Sequence, residues 1–155
     1  MKKVKKWRTP VWVESALQGI CYWIGYKHCY YWRHKVGESA IIAELWGLIC
    51  NKLSKVLFLH CEAPFNEERI DLTISKSKNK EDLSSVVEAI EVKRGANSAL
   101  IQKDIDKLLK LKIKYPKVMA FVLVADTERP RVIVNENGYA IKEQKKITLI
   151  LYAIL

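Results

Sequence analysis

The chain has 155 residues, half of them apolar, with 27 Lys and Arg against 17 Asp and Glu, a formal net charge of +10. This is one domain's worth of sequence, able to build a core without disulfide or metal staples, and the composition excludes a disordered chain, a collagen-like repeat and a small disulfide scaffold. The positive excess favours a polyanionic partner, nucleic acid or an acidic membrane surface, over a neutral small molecule.

Lys2, Lys3, Lys5, Lys6 and Arg8 put five positive charges into the first eight residues. Such a cluster reads equally as a solvated tail and as an arm that touches phosphates. No apolar run with a small-residue cleavage site follows it, so no signal peptide is expected. Cys21, Cys29, Cys50 and Cys61 show no paired spacing and are expected to be free thiols in a reducing cytoplasm. The longest apolar run, ITLILYAIL at the C-terminal end, is far short of the ~20 residues of a membrane helix, so a soluble cytoplasmic protein without a membrane partner is expected.

The stretch from Glu14 to Trp32, rich in Trp and Tyr, reads as a helix whose aromatics serve the core or a homodimer interface. Gly37 to Leu53 reads as a second helix with Ile41, Leu45, Leu48 and Ile49 as its apolar stripe. Val56 to Glu62 is a short strand ended by Pro64. Arg69 to Ser75 alternates, with Ile70, Leu72 and Ile74 on one face and Asp71 and Thr73 on the other. A polar hairpin loop carrying Lys76, Lys78 and Lys80 leads to a strand from Val86 to Lys93, closed by Arg94 and Gly95.

Ser98 to Tyr115 is the clearest helix, with Ser98 as N-cap, Ile101, Ile105, Leu108 and Leu109 as the buried stripe, and Pro116 as terminator. Lys117 to Ala125, nearly all apolar, is a central strand covered on both faces. Arg131 to Val134 and Ile147 to Ile154 are later strands separated by an Asn137-Gly138 turn. The expected organisation is one α/β domain over 1–155: a basic tail (1–10), an aromatic helix (11–35), a core (36–126) and C-terminal strands (127–155).

Two strands carry acids that can converge. The period of two puts Glu91 and Lys93 on one face, opposite Ile90 and Val92. If this strand pairs with Arg69–Ser75 as a hairpin, Asp71 and Glu91 meet with Lys93 beside them, and Glu44 on the preceding helix is a candidate third carboxylate. Carboxylates hold a hard cation such as Mg²⁺, which polarises a phosphate and acidifies water, and a neighbouring lysine orients that water or offsets developing charge. Each residue also has a plain alternative: Asp71 paired with Arg69, Glu91 with Lys93 on a surface, Glu44 on a solvated helix edge, and Glu38 as an acid at the helix start.

Asp71, then Glu91-Val92-Lys93, preceded by a helix with Glu44, resembles the PD-(D/E)xK nuclease superfamily, which includes restriction endonucleases and Holliday-junction resolvases. The resemblance covers roughly Gly37 to Ala125, with Ile70 where the motif has proline. It implies a restriction-endonuclease-like fold, a mixed central sheet flanked by helices. It further implies a Mg²⁺ (or Mn²⁺) ion on Asp71, Glu91 and Glu44, Lys93 acting on the attacking water, and a polar residue from the following helix, Gln102 or Asp104.

The expected function is Mg²⁺-dependent endonucleolytic hydrolysis of DNA, duplex or branched, with RNA left open. Lys2, Lys3, Lys5, Lys6, Arg8, Lys76, Lys78 and Arg94 are the candidate backbone contacts. The alternatives are a nucleic-acid-binding protein on the same fold that no longer cuts, and a protein-interaction module. A zinc site from His28, Cys29, His34, His60 and Cys61 has no ligand spacing behind it, and neither a nucleophile elbow nor a phosphate-binding glycine loop is present.

Overall fold

The computed structural model describes residues 9–30, 36–95, 97–126, 138–140 and 148–154. The basic cluster Lys2, Lys3, Lys5, Lys6 and Arg8 and the expected strand Arg131–Val134 lie outside them. The elements run α1 (Val13–Tyr30), α2 (Glu38–Cys50), β1 (Phe58–Phe65), β2 (Glu68–Ser75), a 3₁₀ turn (Leu83–Ser85), β3 (Val86–Arg94), α3 (Ser98–Lys114), β4 (Met119–Asp126), β5 (Gly138–Ala140) and β6 (Thr148–Ile154). The strands form one mixed sheet in the order β1-β2-β3-β4-β6-β5. β1, β2 and β3 are antiparallel neighbours, whereas α3 carries the chain across to β4, which lies parallel to β3. A mixed α/β architecture, as the pattern of elements predicts, is what the chain adopts.

Helices cover both faces. On one, Ala16, Leu17, Ile20 and Ile24 of α1 and Ile41, Leu45 and Ile49 of α2 bury against Leu72, Ile74, Ile90, Val92, Phe121 and Leu123. On the other, Ile101, Leu108 and Leu111 of α3 bury against Ala89, Ala120, Val122 and Val124. The alternation along β4 therefore serves two cores, which is why its sequence is apolar throughout. Each such Ile or Leu contributes about 1.5–3 kcal/mol by leaving water. The two helices on the first face approach closely: a Cβ on Gly19 would stand 2.7 Å from Leu48 Cδ2.

Several boundaries differ from expectation. β1 runs through Pro64 to Phe65, because it is an edge strand and a proline's missing N–H costs nothing on the open side. The N-cap of α3 is Asn97, whose Oδ1 accepts from the N–H groups of Ala99 and Leu100, and Ser98 is the first helical residue. The buried stripe of α3 is Ile101, Asp104, Leu108 and Leu111, while Leu109 is exposed. Gly138 of the expected Asn137-Gly138 turn opens β5, and Asn137 lies outside the described residues.

The largest correction concerns β2. Leu72 and Ile74 face the α1–α2 core, but Ile70 belongs to the α3 core with Ala63 and Phe65. Strict alternation fails at Asp71. Its neighbour across β1 is Glu62, which takes φ +54° and drops out of the β1–β2 register, and the β2–β3 ladder ends at Leu72 and Ile90. The strands turn over at that point, so residues on either side face opposite cores.

One buried polar contact fixes α1 to the sheet. Trp12 Nε1 donates to Glu88 of β3, and both residues are buried. Burial raises the Glu88 pKa and the Trp12 bond opposes the rise. Trp12→Phe should cost about 1–3 kcal/mol in urea unfolding, the penalty for a buried group left without its partner. The loss should grow as pH rises from about 4.5, because ionised Glu88 needs the donor more. A loss that does not change with pH would contradict this role.

Candidate active site

Where β2 parts from β3, Asp71 turns its side chain across the gap and Asp71 Oδ2 accepts from the Val92 N–H at 2.7 Å. A backbone donor near a sheet's centre must be satisfied, and here a carboxylate supplies what the ended ladder does not. Burial raises the Asp71 pKa, against the pull of this hydrogen bond and of the charges on Lys93 and Lys107.

Glu91 and Lys93 lie opposite Ile90 and Val92, as the period of two predicts. Glu91 is sealed in, its side chain 1% exposed, with Lys107 Nζ of α3 2.8 Å from Oε1. Lys107 is thus the cationic partner of this buried oxygen. Burial first, and the negative charge of Asp71 second, push the Glu91 pKa up to about 8, with Lys107 opposing and Asp104 adding to the rise.

Lys93 Nζ sits 3.1 Å from Glu38 Oε1 at the start of α2 and 3.2 Å from Asp104 Oδ2 on α3. Burial pulls its pKa down, but the two carboxylates outweigh burial and hold the ammonium above its ordinary value. The second Glu38 oxygen accepts from the Arg94 N–H at 3.1 Å. Asp104 Oδ1 stands 3.8 Å from Lys107, one helical turn along. Glu38, Lys93, Asp104, Lys107 and Glu91 thus form a continuous chain of alternating charge, with Asp71 against its end.

The structure gathers Asp71, Glu91 and Lys93, and places the other expected residues elsewhere. The α2 acid that reaches Lys93 is Glu38; Glu44, six residues and about 9 Å further along the helix axis, joins none of these contacts. Gln102 is exposed and donates to Asp106 one turn along, so Asp104 is the α3 polar residue that faces the site. Arg69 pairs at 3.6 Å with Glu62, not with Asp71. Arg94 adjoins the site through its backbone, whereas Lys76 lies five residues, about 17 Å of strand, from Asp71, and Lys78 Nζ stacks 5.8 Å from the Phe58 ring centroid.

Lys107 is not among the candidate site residues that the sequence offers. The available signal was Asp104 itself: with Ile101, Leu108 and Leu111 it completes a helical stripe of spacing three and four, and an acid in a buried stripe demands a buried cation.

A divalent ion is tested by this donor set. Among the described residues, no group of three or more His, Cys, Asp or Glu side chains is placed to hold a metal. The site instead offers a buried, mutually repelling pair, Asp71 and Glu91, with Glu91 Oε1 held by the Lys107 ammonium at 2.8 Å. That fits Mg²⁺, which keeps several waters and takes one or two carboxylates. Compared with protein-family models, with curated proteins and with solved structures, the chain matches none.

The raised Glu91 pKa has a definite sign for stability. Its folded value of about 8 lies above the reference value of 4.5, so its contribution is full below about pH 4.5 and is lost as pH rises through about 8. In chelator, the melting temperature should fall over that window, and Glu91→Gln, whatever its absolute stability, should flatten the fall. A variant that keeps the wild-type pH slope would contradict the buried, ionisable Glu91 described here.

Proposed function

We propose that the chain is a Mg²⁺-dependent endonuclease that hydrolyses DNA phosphodiester bonds on a restriction-endonuclease-like fold of the PD-(D/E)xK type. The observation that carries this reading is the meeting of Asp71, Glu91 and Lys93 where β2 and β3 part, with Asp71 anchored on the Val92 N–H. The antiparallel β1-β2-β3 unit followed by the α3 crossover to parallel β4 supports it. So does the net charge of +10, which supplies salt-dependent attraction to a phosphate backbone.

In this reading Asp71 and Glu91 are the residues that hold Mg²⁺ or Mn²⁺, whose chemistry is charge neutralisation at the phosphate and acidification of water. Lys93, kept protonated by Glu38 and Asp104, places a positive charge where phosphate charge increases in the transition state. Glu38 acts through Lys93 and is a positioning residue: it fixes the ammonium with one oxygen and the Arg94 backbone with the other. Glu91 is buried enough that phosphate must approach from the Asp71 and Lys93 side, where exposure is greater. Cutting both strands of a duplex calls for two such sites, and a homodimer through α1, whose Tyr22 stays exposed, is the arrangement we propose.

Plasmid and branched DNA incubated with Mg²⁺ should be cleaved by wild type and not in chelator. Asp71→Asn, Glu91→Gln and Lys93→Ala should each lower the rate by about 10²-fold or more while retaining the fold and DNA binding. Glu44→Ala and Gln102→Ala should cleave like wild type. Cleavage that persists in Asp71→Asn and Glu91→Gln, or wild-type protein that binds DNA without cutting it, would overturn the proposal, the latter in favour of a binding protein on this fold.

A further inference from the structure

Lys107 has no part in the hydrolytic role above, yet it is the most enclosed cation of the site. Its side chain is 10% exposed, with Nζ 2.8 Å from Glu91 Oε1 on β3. The same ammonium donates to the Arg69 carbonyl oxygen of β2 at 2.8 Å, and Asp104 Oδ1 of α3 stands 3.8 Å away. Acceptors from three elements converge on one positive charge.

That charge does for Glu91 what a bound cation does: it offsets a carboxylate that burial alone would leave uncompensated. Two cations cannot serve the same buried oxygen, because like charges a few ångströms apart repel strongly at low dielectric. The ammonium also has a place to go. Asp104 lies one turn before it on the same helix, with Oδ1 3.8 Å from the ammonium and Oδ2 held 3.2 Å from Lys93, so Oδ1 is the oxygen within its reach. A lysine's flexible stem spans that shift without moving the helix.

We infer that Lys107 is a built-in counter-cation which occupies Glu91 in the metal-free protein and yields it to a divalent ion, so that Lys107 sets the metal concentration at which the site loads. The inference rests on the reading that Asp71 and Glu91 take such an ion. It makes Lys107 a regulator of loading and Asp104 the acceptor that receives its ammonium.

The test needs no DNA. Mg²⁺ binding by calorimetry and Mn²⁺ binding by electron paramagnetic resonance are measured on full-length wild type, Lys107→Met and Lys107→Arg. Removing the competing charge should tighten binding by about tenfold or more in Lys107→Met, while Lys107→Arg, which keeps the cation, should not tighten it. A purely structural role predicts the opposite, weaker binding in the damaged site. If Lys107→Met does not fold, the side-chain ammonium resonance of Lys107 in ¹⁵N-lysine-labelled wild type reports the same event, and it should shift on Mg²⁺ saturation. Equal or weaker binding in Lys107→Met, or an unmoved resonance in metal-loaded wild type, overturns this inference and leaves the metal site standing. Absence of binding in wild type and in both variants overturns the metal site itself and the inference with it.

Discussion

The site depends on one unpaired stretch of sheet. Between Leu72–Ile90 and the end of β3, β2 no longer pairs with its neighbour, and the Val92 N–H would be orphaned in the interior if Asp71 did not accept from it. A buried amide without a partner is among the costlier defects a fold can carry, so the backbone itself dictates a side-chain acceptor there. From that requirement follow the inward turn of Asp71, its proximity to Glu91, and the change of face that sends Ile70 and Leu72 to opposite cores.

Placing two carboxylates in that gap is not a stabilising choice. Replacing buried ion pairs with apolar residues is often neutral or favourable, whereas removing one partner is costly. Here the carboxyl groups of Glu38, Asp104 and Glu91 alternate with Lys93 and Lys107 in one chain, and each ammonium has acceptors on two or more elements. α2, β2, β3 and α3 are thereby tied at one end of the sheet by charge, while apolar packing ties them everywhere else. An arrangement this costly, concentrated at one point of an otherwise apolar interior, is the usual mark of a functional site.

Much of this was legible from residue patterns, and the failures have physical causes. The apolar run from Val118 to Ala125 announced a doubly covered strand, and the placement of Glu91 and Lys93 opposite Ile90 and Val92 followed from the period of two. That period misled at Ile70, because alternation holds only while a strand keeps its ladder, and the positive φ at Glu62 that accompanies the break has no glycine to signal it. Choosing Glu44 over Glu38 was a matter of docking: periodicity finds a helix's apolar stripe but not which end of it meets the sheet. Gln102 and Asp104 stand two residues apart, on opposite sides of α3, and reading Leu109 instead of Leu111 into the stripe rotated it enough to obscure that Asp104 points inward.

The central claim, that Asp71 and Glu91 are held together in order to share a divalent ion, is tested most directly by anomalous diffraction from crystals of the protein grown or soaked with Mn²⁺. The account predicts an anomalous peak between the two carboxylates, with the Lys107 ammonium moved from Glu91 toward Asp104. A crystal equilibrated with saturating Mn²⁺ that shows no peak there, and with Lys107 still against Glu91, would contradict it.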